Sequence, residues 1–494
     1  MDKNDVDSVS PSTMKDPQLK PISQQYIDNL LDNNANVPIK IINVQPISTT
    51  EAKGNSLSSE TWNVYVNATL AQCEKLSDIP DQLDILHSRL LQANLINGLH
   101  PIFHTLDNST TDDNKDITLA NPLPIIATLY YQPKSKFTAK TGTNITNSGQ
   151  GDGYISFQSR LPTDDIVSLD YRRDTGTNSG TKFSLGSPFL KRTPFWSWKL
   201  DVFDVWKNVG VKDVGCTMGI RSWYNKRNSW NCGIDYELIR RDFQSMNIHT
   251  STLPSLTTTV STTEKKNISE YLLVQDGSSI RNSLKGNIIW DCRDNTFAPN
   301  KGHLLKINTE LTNVDNGANF WKNALQFTRV NSWFPSNFIT MSTTFKCGYI
   351  QNLSFSQNKY IHYTDKFQNG GANDIRSFQN MGIGPRHLGN NLGGDTFMAY
   401  GVSVFSKLPF KKIMDSNFRL HFFFNGGKLV NHNNDTWINT MSKLRDEHST
   451  SVGAGLVLRS PMAKFELNFA VPVTCHSDDL QRKGLQFGLG FEFL

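Results

Sequence analysis

The sequence predicts an all-β transmembrane barrel of sixteen antiparallel strands, closed between its first and last strands and preceded by one small β-α-α-β-β domain. Apolar and polar residues alternate repeatedly after residue 137, and this alternation indicates strands with one apolar and one polar face. The links between these strands are short at one end and long at the other, as in outer-membrane barrels. Residues 484–494 form an aromatic, alternating strand, which would be a hazard as an exposed edge in a soluble protein.

The composition fits a barrel and excludes several other classes. The 494 residues have a mean hydropathy of −0.43, which a barrel tolerates because only every second strand residue faces lipid. No apolar run approaches the roughly 18 residues that a spanning helix needs, so a helical membrane protein is excluded. The net charge of +5 is spread along the chain, which argues against nucleic-acid binding. The six cysteines and the histidines lack zinc-ligand spacing, so no metal site is predicted.

The first 36 residues are rich in Asp, Asn, Ser, Gln and Pro, and we expect residues 1–36 to be largely disordered. They show neither the charged and then apolar pattern of a secretory signal nor an Arg-rich transit peptide. If the protein enters a membrane, its targeting information is therefore expected elsewhere in the chain.

Residues 37–132 show the mixed pattern of a small α+β domain. A short strand is predicted at 39–44, and residues 62–73 and 83–91 carry apolar positions at helical spacing. Strand patterns follow near 101–106 and 124–131. The order β-α-α-β-β predicts one compact domain ahead of the barrel, which we assign to residues 133–494.

The barrel region contains sixteen strand patterns. We predict strands at 137–145, 153–161, 165–174, 180–190, 195–206, 211–223, 229–241, 280–292, 303–311, 319–333, 337–350, 394–407, 417–428, 451–459, 463–473 and 484–493. Where the alternation is clearest, the charged residues take the face opposite the apolar one. A charge on the lipid face at mid-bilayer would cost about 2–4 kcal/mol, so this segregation is what a membrane barrel requires.

The links separate the two ends of the barrel. Those after the even-numbered strands are mostly a few residues, whereas 242–279, 351–393 and 429–450 are long. The small domain is expected at the short-link end, because the first barrel strand must start there. A loop as long as 351–393 is uncommon unless it has a function or is disordered.

The first barrel strand, 137–145, has almost no apolar face. A strand rich in Gly and Thr specifies register weakly and holds its neighbour weakly. Because it must close the barrel against the strongly amphipathic last strand, we predict a weak seam that can open sideways. The residues of this strand at the predicted gate are Thr138, Ala139, Lys140, Thr141, Gly142, Thr143 and Asn144.

Three later stretches carry a resemblance to a known family. They are 291–302, with an Asp-x-Arg-Asp-Asn turn followed by Pro and Gly, 367–395, with Asp-Ile-Arg-Ser-Phe, and 423–430, with Phe-Phe-Asn-Gly-Gly-Lys-Leu-Val. Together with the domain order, they resemble the outer-membrane protein insertase superfamily, in which POTRA (polypeptide-transport-associated) modules precede a sixteen-strand barrel. Within it, the chain is similar to the central barrel subunits of the mitochondrial sorting and assembly machinery, the SAM complex. The likeness covers roughly residues 37–494.

The resemblance implies that the long loop folds into the barrel lumen. Its motif residues would be Ile375, Arg376, Ser377, Phe378, Gly382, Gly384, Pro385 and Arg386, and the barrel wall would meet it at Asp395, Phe423, Asn425 and Gly427. Arg376 is expected on a wall acceptor such as Asn425 or a nearby acid. Two positions depart from the family pattern: Ser377 replaces a glycine at the loop tip, and Asn425 stands where an acid is common.

The last segment resembles the mitochondrial β-signal, with Gln486, Gly488, Phe491 and Phe493 at its characteristic positions. It would serve as the insertion address of the chain and as a built-in copy of the signal in its substrates.

The resemblance implies a function without covalent chemistry. The chain would insert β-barrel precursors into the mitochondrial outer membrane through a lateral gate, by β-signal strand exchange, with its POTRA-like domain in the intermembrane space. The implied partners are these precursors, peripheral cytosol-facing SAM subunits, lipid and a second outer-membrane barrel at the gate. The alternative is a polypeptide-translocating or metabolite pore of the same class. No cofactor or catalytic residue is predicted, because the motifs around Gly382 and Gly401 lack the glycines that enzyme loops of those types require.

Overall fold

The computed structural model describes residues 36–490 apart from short internal stretches. These are 50–55, 72, 106–121, 146–150, 175–178, 191–195, 208, 223–229, 249–268, 296–297, 316, 335–336, 355–358, 373, 409–415, 433–436 and 460–463. The predicted disorder of residues 1–36 therefore falls almost entirely outside the described residues, as do Phe491 and Phe493. Among the helices described, none is long and apolar enough to span a bilayer.

The small N-terminal domain pairs a three-stranded sheet with two helical segments. Its strands are β1 (Ile39–Ser48), β2 (Ile96–Thr105) and β3 (Leu123–Pro133), with β3 in the middle, parallel to β1 and antiparallel to β2. A π-helical turn, Thr61–Val66, continues as α1 (Asn67–Leu70), and α2 is Asp78–Gln92. The apolar positions at helical spacing form the core, in which Val66, Leu70, Leu86 and Leu90 are fully buried.

Sixteen strands form the second sheet, and each pairs antiparallel with the next along the chain. They are β4 (Phe137–Ile145), β5 (Gly151–Arg160), β6 (Ile166–Asp174), β7 (Ser179–Ser187), β8 (Trp196–Lys207), β9 (Val209–Ser222), β10 (Trp230–Ile248), β11 (Gly277–Asp291), β12 (Gly302–Val314), β13 (Phe320–Trp333), β14 (Ile339–Asn352), β17 (Thr396–Lys407), β18 (Phe418–Val430), β19 (Ser449–Arg459), β20 (Lys464–Thr474) and β21 (Gly484–Gly490). The tiny strands β15 (Arg386–His387) and β16 (Asn390–Asn391) form a separate hairpin. The predicted number and direction of the strands are thereby confirmed.

The two ends of this sheet are β4 and β21. Within 137–145 and 484–490, β4 pairs with β5 and β21 pairs with β20, and these described residues show no ladder between β4 and β21. The predicted closure between the first and last strands therefore stays a prediction.

The two faces of the sheet have opposite chemistry. One face exposes large apolar side chains on strand after strand, among them Leu169, Met218, Leu284, Phe422 and Phe469. The other face carries polar and charged side chains that are shielded from solvent, including Asp213, Arg281, Ser403, His421 and Glu466. A soluble sheet buries its apolar face, so this inverted arrangement suits a sheet whose outer surface contacts lipid.

The N-terminal domain contacts the short-link end of the sheet, at the turn between β5 and β6. The carboxylate of Asp164 accepts hydrogen bonds from the Ser58 amide (2.7 Å) and the Thr61 hydroxyl (2.6 Å). Arg160, also buried, donates to the backbone oxygen of Leu95 (3.3 Å). The domain therefore touches the strands nearest β4.

Candidate functional site

The long loop, residues 353–395, leaves β14 and returns as β17, and it contacts strands far from both. Near its start it contacts β10 and β11, and near its tip it contacts β18 and β20. One segment can meet strands so far apart in the sheet only if the sheet curves around it. The loop therefore lies against the inner, polar face of the curved sheet.

The first anchor of the loop is Asp365, which is buried among arginines. Arg241 of β10 contacts it through two nitrogens, at 2.8 and 3.2 Å, and Arg281 of β11 contacts it at 2.6 Å. Lys322 of β13 donates to its backbone oxygen at 2.7 Å. Burial by itself would raise the pKa of Asp365, but the two arginine charges outweigh it and hold this pKa well below its usual value.

The residues of this anchor lie outside the sequence motifs that predicted the loop site. Arg241 and Arg281 occupy the inner face of adjacent strands, where they also bind Asp213, at 3.1 Å, and Glu310, at 2.6 Å, respectively. Two inward-facing arginines on neighbouring strands are a readable signal for an acid in the lumen. Which acid fills the position depends on how the loop folds, so the sequence pattern alone does not identify Asp365.

The second anchor is Arg376 at the loop tip, the largest fully buried side chain in the described residues. Its guanidinium donates to the Glu466 carboxylate of β20 at 2.8 Å, and its Cζ atom lies 4.7 Å from the centre of the Phe423 ring. Glu466 also accepts from Asn468 at 2.8 Å, and Asn468 in turn binds His421 at 2.9 Å. The acceptor of Arg376 is thus a nearby acid, one of the two kinds expected.

Asn425, the other expected acceptor, has a different contact. Its amide nitrogen donates to the backbone oxygen of Asp374 at 3.4 Å, and its amide oxygen accepts from the Ser451 hydroxyl. Asn425 therefore holds the loop backbone two residues before Arg376, while Glu466 supplies the negative charge.

Ser377 stands in a left-handed backbone conformation, with φ of +69°, and is fully buried. Glycine adopts this region without a steric cost, which gives a physical reason for the family glycine at this position. With serine at this position, the backbone of the tip still comes close to the last strand. The Ser377 amide donates to the side-chain oxygen of Gln486 at 3.2 Å, and the Arg482 amide donates to the backbone oxygen of Ser377 at 2.8 Å. The loop tip therefore contacts the last strand and the link before it.

Residues 378–384 continue this contact along the link between β20 and β21. Phe378 forms a backbone bridge with Gln481, and the Gln379 amide donates to Leu480 at 2.9 Å. The Leu480 amide donates back to Gly382 at 2.8 Å, and the Gly384 amide donates to the Asp479 carboxylate at 2.9 Å. This part of the loop thus runs beside the chain that leads into β21.

The remaining predicted loop and wall residues lie nearby. Ile375 is fully buried against Gly427, where an added Cβ would stand 2.7 Å from its terminal methyl carbon. The Pro385 oxygen accepts from Leu392 at 3.1 Å, and Arg386 donates to Met381 at 2.8 Å. Asp395 pairs with Lys366 of the loop at 3.2 Å, so this wall residue contacts the loop ahead of its tip.

Two of the predicted signal residues, Gln486 and Gly488, lie beside the Arg376 anchor. Gly488 pairs in register with Glu466, and Gln486 pairs with Asn468. Gln486 is buried and bonds the loop tip, whereas Phe491 and Phe493 lie outside the described residues. Gly488 therefore stands next to the residue that binds Arg376.

The predicted gate residues 138–144 all belong to β4 and pair with residues 152–158 of β5. Gly142 faces the Tyr154 ring so closely that an added Cβ would lie 2.6 Å from it. The Thr141 hydroxyl donates to the Tyr154 oxygen at 3.2 Å.

Comparison with known proteins identifies one relative along nearly the whole chain and others along part of it. The Omp85 superfamily domain matches residues 141–493. The sorting assembly machinery 50 kDa subunit of Saccharomyces cerevisiae is 35% identical over 96% of this chain and 100% of its own length. The sorting and assembly machinery component 50 homolog of Homo sapiens is 34% identical over 44% of this chain and 47% of its own length.

Two solved structures share the fold. BamA from Haemophilus ducreyi, lacking POTRA domains 1–3, has a TM-score of 0.61 at 14% identity, with 92% of this chain and 84% of that chain covered. CdiB from Acinetobacter baumannii has a TM-score of 0.51 at 12% identity, covering 94% and 80%. At these identities the similarity is one of fold alone.

Proposed function

The chain belongs to the Omp85 superfamily, and we propose that it inserts β-barrel precursors through a lateral gate between β4 and β21, by exchange of strand pairing. It is a barrel protein of the mitochondrial outer membrane and takes part in β-barrel assembly there within a sorting and assembly complex. What we propose is the lateral gate between β4 and β21, the exchange of strand pairing at this gate, and the roles of individual residues in it.

The observation that carries the proposal is the contact between the loop tip and the last strand. Arg376 binds Glu466 beside Gly488, and the Ser377 amide binds Gln486. These contacts hold β21 from inside the lumen, on the side of β20. The other edge of β21 is then free to pair with β4 when the gate is closed, or to give up that pairing when a precursor arrives.

Strand exchange needs no covalent step. The last strand of a precursor adds to the edge of β4 and takes the backbone hydrogen bonds that β21 would otherwise make, as in β-augmentation. The number of bonds lost and formed is nearly equal, and no strand edge is left unpaired in lipid, where each unsatisfied group would cost several kcal/mol. The Gly- and Thr-rich composition of β4 keeps the original pairing weak.

We assign residues 37–132 as a POTRA-type domain in the intermembrane space and residues 133–494 as the barrel. The contact of Asp164 with Ser58 and Thr61 supports a place for this domain beside β5 and β6, next to the gate strand. An incoming precursor would pass the domain before it reaches β4.

The pore alternative has weaker support. The long loop is fastened to β10 and β11 through Asp365 and to β20 through Arg376, so it occupies space on the inner face of the sheet. A passive pore would not need two buried ion-pair anchors for a loop that narrows its lumen.

Cysteine cross-linking tests the gate. Thr141→Cys in β4 should trap a cysteine placed in the last strand of an arriving precursor. The matched control is Thr309→Cys in β12, an exposed threonine on a strand that is paired on both sides. Because the chain has six cysteines of its own, the parent chain provides the background. Equal capture at both positions would exclude a gate at β4.

A further inference from the structure

The helix in the link between β18 and β19 packs on the outer face of the barrel. This helix, α4, spans Trp437–Arg445, after the short α3 (Glu270–Leu273). Beside it, the Lys428 ammonium donates to the backbone oxygen of Asp446 at 2.5 Å, and His448 contacts the Tyr400 hydroxyl at 3.2 Å. The ring centres of Tyr400 and Phe424 are 6.1 Å apart on the apolar outer face. The helix therefore lies on the side of the sheet that faces lipid.

The position of α4 along the barrel is at the long-link rim. On β18 the exposed aromatic residues Phe418, Phe422 and Phe424 end before Lys428, the residue next to the helix. Val430, on the same face and at the end of the strand, is buried. The apolar band thus gives way to a covered rim, which is the level at which lipid headgroups meet the barrel.

Three faces of α4 follow from its helical geometry. Thr440 and Leu444, about 40° apart around the axis, are buried against the barrel, and Thr440 binds His432 at 2.8 Å. Ile438 and Met441, about 60° apart, are 78% and 41% exposed. Their common direction lies about 110° from the buried face.

The third face is polar and points away from both. Asn439 stands about 130° from the direction of the exposed apolar pair and is exposed. In the last turn, Lys443 lies about 40° from Asn439 on this polar face, whereas Arg445, the final residue, lies about 10° from the direction of the exposed apolar pair. A helix with one face on a protein wall, one apolar face and one polar face has the arrangement of a helix that lies in a membrane interface.

We infer that α4 is an interfacial membrane helix, which inserts Ile438 and Met441 into the headgroup boundary of the leaflet at the long-link end. The occupant of the apolar face is lipid, because this face continues the apolar outer surface of β17 and β18. Lys443 and Arg445 complement the phosphates of that leaflet. The helix would then fix the depth of this rim in the bilayer, several strands away from the proposed gate.

Photocross-linking to lipid tests the inference on the full chain. Three separate chains carry p-benzoylphenylalanine in place of Ile438, Asn439 or Phe422. Each chain is reconstituted in vesicles of phosphatidylcholine and cardiolipin with clickable acyl chains and then irradiated. Position 422, half exposed in the apolar band, sets the yield for full lipid contact. We expect position 438 to form at least about threefold more lipid adduct than the neighbouring position 439.

Two results would overturn the inference. Equal lipid adduct at 438 and 439 would mean that the apolar pair does not face the bilayer. The same chains are also irradiated in isolated mitochondrial outer membrane, where a protein adduct at 438 in place of lipid would mean that a partner subunit covers this face. Lipid adduct at 438 in both preparations, with little at 439, would support it.

Discussion

Replacing Arg376 by alanine should release the tip of the long loop. In the folded protein Arg376 and Glu466 are each only 1% exposed, so the substitution leaves a buried carboxylate without its main cation. Breaking a buried pair in this way costs about 3–5 kcal/mol. At 1.4 kcal/mol for each factor of ten, the ratio of undocked to docked loop should rise by about 10² to over 10³.

Native-state proteolysis of the loop measures this ratio, because cleavage follows the open population when opening and closing are fast. The matched control is Arg240→Ala, which removes a surface pair in which the arginine side chain is 67% exposed and should change the rate by less than about threefold. The double variant Arg376→Met with Glu466→Leu should recover much of the docking, because an apolar pair leaves no buried charge. The same variants can be compared for assembly of imported β-barrel precursors.

The reasoning would be refuted if Arg376→Ala matched Arg240→Ala in both cleavage rate and precursor assembly. If the double variant does not recover docking, the geometry of the ion pair itself is needed. Removing the unpaired buried charge would then not be enough to dock the loop.

Three further predictions concern the loop and the domain contact. Ser377→Gly should raise the free energy of unfolding by up to about 1 kcal/mol, read from the urea midpoint, because glycine accepts its positive φ without strain; a lower midpoint would contradict this. Acid should loosen the loop. Burial, together with the Arg241 charge, lowers the pKa of His362 to about 4. The contribution of His362 to the stability of the docked loop is therefore complete above about pH 6.5, the ordinary histidine pKa, and falls as the pH drops towards 4. The pKa of Asp365 is also lowered, so its contribution has the same sign but is lost only below about pH 4. In proteolysis between pH 7.5 and 4, His362→Gln should therefore remove most of the pH dependence and leave the further loss below pH 4. Asp164→Ala should speed cleavage between the N-terminal domain and β4, whereas an unchanged rate would show that the bond to Ser58 does not hold the domain.

The strand pattern was largely predictable because lipid imposes it. Every second residue must be apolar where a strand crosses the bilayer, and this period of two is visible without any tertiary information. β10 shows where the rule ends: it was predicted to stop at 241 and continues to Ile248. Beyond the bilayer its outer face meets water or loops, so the alternation that marks a strand no longer holds.

The candidate site was predictable only in part. The motif around Arg376 and the wall residues Phe423, Asn425 and Gly427 could be named from the resemblance, and the structure brings them together. Asp395 contacts the loop at Lys366, whereas Asp365 could not be identified from the sequence pattern. The roles of these residues in precursor insertion stay predictions.

Alternation, link lengths and charge segregation follow from local physical requirements, so the number and direction of the strands could be predicted from the sequence. Which charges meet depends on the tertiary structure. Arg376 and Glu466 are 90 residues apart in the chain, and Arg241 and Asp365 are 124 apart. Such pairs depend on how the sheet curves and on where the loop enters it. The curvature of the sheet and the position of the loop leave no local pattern in the sequence. For the same reason, the lipid contact that we propose for α4 could not be inferred from the helix sequence alone.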